Sequence, residues 1–223
     1  MKRDVAIASS VDRCVAVIEQ REREVQAFVY LDVPGARDES MMAFQRGLPL
    51  ASSILAVKDV IDVANMPCEW GSTMFAGRVP TLDSICVSTL RQAGASIIGK
   101  SATAELACFD PPFTTNPHDT RRTPGGSSSG SAAAVASGMA TGALGTQTGG
   151  SIIRPAAFCG VVGYKPSFGA ISTDGVMDLA PSLDTVGLFA RTVSEAHKLA
   201  AVSIGWPSTE MLHPSIPAIG FFT

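Results

Sequence analysis

The sequence is poor in histidine, the side chain best suited to trade a proton near neutral pH. Its 223 residues include only three histidines, His118, His197 and His213. His197 falls in a late helical stretch and His213 in a proline-rich tail, where solvated positions are the rule. His118 follows the turn signal Asn116-Pro117 and reads as structural. A Ser-His-Asp arrangement is open but unsupported. Cysteine pairing is also missing: Cys14, Cys68, Cys86, Cys108 and Cys159 are an odd, scattered set without CxxC spacing. That argues against zinc ligation and against a disulfide framework, so no metal and no cofactor is expected. Charge of one sign is lacking as well, since a net charge of −3 gives no reason to expect nucleic acid or an anionic membrane as partner. No apolar run reaches membrane-spanning length, because Ser137, Gly138 and Thr141 interrupt the alanine-rich region. After Met1-Lys2-Arg3 the apolar stretch Val5–Ala8 is too short for the centre of a signal peptide. Taken together these absences point to the cytoplasm.

What is present is an apolar, evenly built chain. Apolar residues make up 46% and charged residues 17%, enough to bury one substantial core. Val11–Glu24 has the periodicity of an amphipathic helix, Val25–Leu31 reads as a strand, and Asp38–Arg46 as a helix closed by Gly47. Ser53–Val57 is a compact apolar strand that delivers Lys58 at its end. Asp83–Ala93 is helical and ends at Gly94, Ala95–Ile98 is another strand, and Val193–Val202 another helix. Helices alternating with short apolar strands predict an α/β fold, a mixed β-sheet covered by helices on both faces. No internal repeat or linker divides residues 1–223, which read as a single domain. Beyond the prolines 207, 214 and 217, Ala218–Phe222 has the character of a strand at whose start the sequence stops. A longer parent protein is the expectation.

Two glycine-rich turns carry the chemistry. Gly125-Gly126-Ser127-Ser128-Ser129-Gly130-Ser131 would pass for a flexible linker by itself. However, it runs straight into Ala132-Ala133-Ala134-Val135-Ala136, a small-residue helix suited to close packing. The second turn, Thr148-Gly149-Gly150-Ser151-Ile152, follows a short strand. A serine among bare backbone N–H groups has the makings of a nucleophile beside an oxyanion hole. The base could be Lys58, whose amine is useful only if burial brings its pKa down, and Ile54-Leu55-Ala56-Val57 offer that desolvation. A competing motif, Gly94-Ala95-Ser96-Ile97-Ile98-Gly99-Lys100-Ser101, matches the letters of a phosphate-binding loop. Its context is wrong: a helix precedes Gly94, and Ala95–Ile98 is itself a strand.

These residues resemble the amidase signature family. The resemblance runs from Ala56-Val57-Lys58-Asp59 through both Gly/Ser turns and Cys159-Gly160-Val161-Val162-Gly163-Tyr164-Lys165-Pro166 to Ser182-Leu183-Asp184-Thr185-Val186-Gly187. It implies a Ser-Ser-Lys triad whose middle serine follows a cis peptide bond. Carried over, Ser151 becomes the nucleophile, Ser127 the bridging serine and Lys58 the base. Backbone N–H groups of Thr148, Gly149, Gly150 and Ser151 would hold the oxyanion. The implied fold is the amidase signature fold, of which residues 1–223 would be the N-terminal part, with the C-terminal part missing.

The same resemblance narrows the substrate. Most members place an arginine two residues after the nucleophile and an aspartate four before it. Here those positions hold Ile153 and Gln147, and Arg154 follows one residue later, a pattern most like the malonamidase branch. There the matching arginine grips a substrate carboxylate; a structural ion pair with a sheet-end aspartate is the plainer role for Arg154. Pro155 places the N-cap of the following helix no earlier than about Ile152. The expectation is an amidohydrolase that releases ammonia from a small, carboxylate-bearing amide such as malonamate through an acyl-enzyme. The alternatives are the glutaminase (A) subunit of a tRNA-dependent amidotransferase, which requires partner subunits, and a truncated inactive fragment. A homodimer is one assembly open to it.

Overall fold

The computed structural model describes residues 4–206. His213 and the strand start expected at Ala218–Phe222 lie outside them. Among these residues six α-helices and six strands follow one another: α1 (Asp4–Val25), β1 (Phe28–Leu31), α2 (Val33–Gln45), β2 (Ile54–Lys58), α3 (Ile85–Gln92), β3 (Ser96–Ser101), α4 (Ser129–Ser137), β4 (Gly142–Gln147), α5 (Ile153–Cys159), β5 (Val162–Tyr164), β6 (Thr185–Ala190) and α6 (Val193–Ile204). The strands form one sheet in the order β1-β3-β2-β4-β6-β5. β2 runs parallel to both β3 and β4, while β1, β6 and β5 pair antiparallel, so the sheet is mixed as the sequence predicts.

The alternation of β2 divides the core. Ile54 and Ala56 pack with α1, α4 and α5 through residues such as Ile18, Ala133 and Ala156, whereas Leu55 and Val57 pack with α3 and α6 through Leu90 and Leu199. Successive side chains on a strand point to opposite faces, so a wholly apolar strand needs helices on both. The small-residue character of α4 has a direct cause. A Cβ on Gly130 would lie 2.2 Å from the Ala27 carbonyl oxygen and 2.4 Å from the Ala102 nitrogen. Only hydrogen fits there, and the Gly130 N–H closes the approach by donating to Ala102 O at 2.9 Å.

Several boundaries differ from those read in the sequence, α1 among them, which begins at Asp4 rather than Val11, and three have a direct cause. Side chains that cap the backbone account for two of these three. β1 starts at Phe28, not Val25: Val25 still belongs to α1, and the Glu22 carboxylate accepts the N–H groups of Ala27 and Phe28 after the turn at Gln26. α2 starts at Val33 because Asp32 accepts the Gly35 N–H at 3.0 Å and Pro34 fits the first turn. The third is β3, which extends past Ile98 through Gly99 and Lys100 to Ser101. A Cβ on Gly99 would sit 2.2 Å from Tyr30 O, so this glycine serves the close approach of β1 rather than a phosphate. Lys100 is fully buried and paired with Asp59 at 3.1 Å, which disposes of the phosphate-loop letters.

Candidate active site

The site lies where the parallel strands β2 and β4 end, facing the amino end of α4. β2 terminates in Lys58 and β4 in Thr146 and Gln147; one Gly/Ser turn leads into α4 and the other continues from β4. Ser128 ties the turns together: its hydroxyl donates to Thr146 O at 3.2 Å and its N–H to Ser151 O at 3.4 Å. The Gly126–Ser127 peptide bond is cis, and Ser127 O accepts the Ala104 N–H at 3.0 Å.

Lys58 has no exposed surface, and its Nζ lies 2.9 Å from both Ser127 Oγ and Thr146 Oγ1. Burial brings its pKa down from 10.5 to about 7, against the opposing pull of the Asp184 carboxylate. Desolvation dominates because an ammonium loses its hydration shell and two neutral hydroxyls replace little of it. A neutral amine carries a lone pair, so the same 2.9 Å contact can run from the Ser127 O–H to Nζ.

Ser151 is half-buried in the turn between β4 and α5. Among the described residues no hydrogen bond joins its hydroxyl to Ser127, so the structure forms the first link of the expected relay and leaves the second open. The N–H groups of Thr148, Gly149, Gly150 and Ser151 donate to no group among the described residues. Such a run of unspent donors suits a developing oxyanion.

Arg154 does not pair with a sheet-end aspartate. Its Nε and Nη2 donate to Gly126 O at 2.9 and 2.6 Å, and the exposed guanidinium borders a cavity of about 340 Å³ with Phe109, Pro111 and Phe158. His118 is engaged with the Cys159 carbonyl at 2.9 Å. Four contacts escape a reading of the sequence. Thr146 shares the lysine, and Ser128 joins the turns. Gln147 Oε1 accepts the N–H groups of Ile152 and Ile153 at 2.8 and 3.0 Å, capping α5. Asp184, buried at the start of β6, accepts from the Thr148 hydroxyl and, at 2.8 Å each, from the N–H groups of Leu179 and Ala180. The only sequence signal for the last was Asp184 within the Ser182–Gly187 stretch of the resemblance.

Comparison with known proteins shows the family of the chain. Residues 9–218 match the Amidase family. The A subunit of a glutamyl-tRNA(Gln) amidotransferase from Prochlorococcus marinus is 38% identical over 218 residues, covering 92% of this chain and 44% of the relative. Its namesake in Acidothermus cellulolyticus is 43% identical over 209 residues, covering 87% of this chain and 40% of the relative. The chain thus spans less than half the length of these relatives. The structure of native peptide amidase from Stenotrophomonas maltophilia superimposes with a TM-score of 0.83 at 32% identity, over 94% of this chain and 47% of that one. The chain belongs to the Amidase family, the amidase signature proteins.

Proposed function

We propose that this chain carries the catalytic machinery of an amidohydrolase that cleaves amide C–N bonds through Lys58, Ser127 and Ser151. The observation that supports it most is a fully buried lysine amine 2.9 Å from Ser127 Oγ with its pKa brought down to about 7. Neutral Lys58 takes the proton of Ser127, which takes that of Ser151 as Ser151 Oγ bonds to the amide carbon. Backbone N–H groups from Thr148 to Ser151 hold the resulting oxyanion. On collapse the C–N bond breaks, the proton returns from Lys58 through Ser127 to the departing nitrogen, and ammonia leaves. Water then repeats the sequence in reverse on the acyl-Ser151 ester. The open link requires Ser151 Oγ to come within hydrogen-bond reach of Ser127 Oγ. Catalytic contacts of this kind commonly tighten only when substrate is bound.

For the amide donor, the names of the relatives favour glutamine hydrolysis by an A subunit working with partner subunits. Gln147 does not weigh against that reading, because its carboxamide is occupied in capping α5. A short carboxylate-bearing amide such as malonamate is the second reading, supported by Arg154. Two of its donors hold Gly126 O, leaving others for a carboxylate at the cavity edge. Ammonia release from glutamine and from malonamate, by the chain alone and with candidate partner subunits, separates the two. In either case Ser151→Ala abolishes release; undiminished release by that variant overturns the triad.

A further inference from the structure

We propose that Asp184 is a positioning residue of this site, fixing Thr148 at the head of the oxyanion turn and holding a negative charge within electrostatic reach of Lys58. The inference rests on the amidohydrolase reading and extends it to a residue outside the triad. Three contacts carry it. One carboxylate oxygen of Asp184 accepts the Thr148 hydroxyl, and the other accepts the backbone N–H groups of Leu179 and Ala180 at 2.8 Å each. Asp184 is buried and neighbours the β4–β6 ladder, where Gln147 pairs with Thr185. It therefore joins the last rung of the sheet, the segment before β6 and the first residue of the oxyanion turn. A glycine-rich turn such as Thr148-Gly149-Gly150 has little stiffness of its own, so a side-chain anchor at its first residue decides where its donors point.

The charge matters separately from the anchor. The groups in contact with the Lys58 amine are the hydroxyls of Ser127 and Thr146, which stay neutral; the carboxylate of Asp184 acts on its charge from further off. The adjoining Asp59 is taken up by Lys100 at 3.1 Å. Asp184 thus opposes the desolvation that drives Lys58 towards neutrality and keeps the amine basic enough to accept a proton. Asp184→Asn retains the shape and can keep the contacts, because the Thr148 hydroxyl can turn and accept from the new amide. Thr148→Val removes the anchor and leaves the charge.

The test uses two readouts on the full chain. The first is the pH titration of the Lys58 side chain by NMR, assigned by its loss in Lys58→Met. The second is the rate at which a serine-directed fluorophosphonate labels Ser151, mapped by mass spectrometry. The Lys58 midpoint moves to lower pH in Asp184→Asn and stays in place in Thr148→Val, while both variants label about tenfold more slowly or worse. A midpoint unmoved in Asp184→Asn, or labelling of Thr148→Val at the unmodified rate, overturns the proposal. If Asp184→Asn does not fold, Thr148→Val decides by its labelling rate. Absence of any labelling in the unmodified chain counts against the amidohydrolase reading instead, and the Lys58 midpoint still judges Asp184.

Discussion

An amine with no exposed surface and two hydroxyls for company gives up its proton far more easily than one in water. For Lys58 the consequence has a definite sign. Below about pH 7 the amine is protonated and cannot draw the Ser127 proton, so turnover rises with pH through that value and then levels. Stability follows the same direction. Between about 7 and 10.5 the unfolded chain holds a proton on Lys58 that the folded chain lacks, so this group makes the fold more stable as pH rises across that window. Lys58→Met removes both dependences: turnover is lost, and the denaturant midpoint rises less steeply than in the unmodified chain when followed across the same window. A smaller residue-scale effect concerns Gln147. Its carboxamide replaces the aspartate that most of the family carries and still accepts two N–H groups at the head of α5. Gln147→Ala should cost about 1 kcal/mol in urea unfolding, the usual worth of a helix cap. That cap was not legible in the sequence, where Gln147 stood out only as a departure from the family's aspartate.

At the scale of elements, α4 shows how sequence and site are linked. The run Ser129–Val135 is buried throughout, and its residues are small because the helix lies against the backbone of Ala27 and Ala102. This close seat is what holds Ser127, two residues before the helix, within reach of Lys58. Gly130→Ala therefore pushes α4 outward: we expect a loss of about 1–3 kcal/mol in unfolding free energy and a turnover defect larger than the stability loss explains. Helix and strand periodicity made α1, α3, α6, β2 and the loop–helix–strand–turn order of residues 125–152 legible in advance. Element ends were less so. The caps by Glu22 and Asp32 depend on where a side chain folds back, which periodicity does not report. Gly99 was ambiguous for a similar reason, since its purpose is set by Tyr30, a residue far away in sequence.

Across the whole molecule, the residues of the proposed triad come from three separate segments that converge on the ends of β2 and β4. Lys58 was singled out by its place at a strand end, Ser151 by its glycine-rich turn and Ser127 by the resemblance to the family. The roles of Thr146 and Asp184 were not, because they exist only once β2, β4 and β6 lie side by side. No helix among the described residues is long and apolar enough to cross a membrane. Phe109 and Phe113 are 90% and 89% exposed, and Phe109 flanks the cavity beside Arg154, so the rim of that cavity combines an apolar ring with a cation. Arg154→Ala should raise KM for carboxylate-bearing amides about tenfold or more while sparing neutral amides, measured as ammonia release. An equal loss on both would assign Arg154 to holding Gly126 alone.

The central claim is that a neutral Lys58 activates Ser151 through Ser127, and labelling by a serine-directed fluorophosphonate probes it most directly. Mass mapping should place the adduct on Ser151, with a rate that climbs through about pH 7 and collapses in Ser127→Ala and in Lys58→Met. An adduct on another residue, or a Lys58→Met chain that labels as fast as the unmodified one, would contradict it.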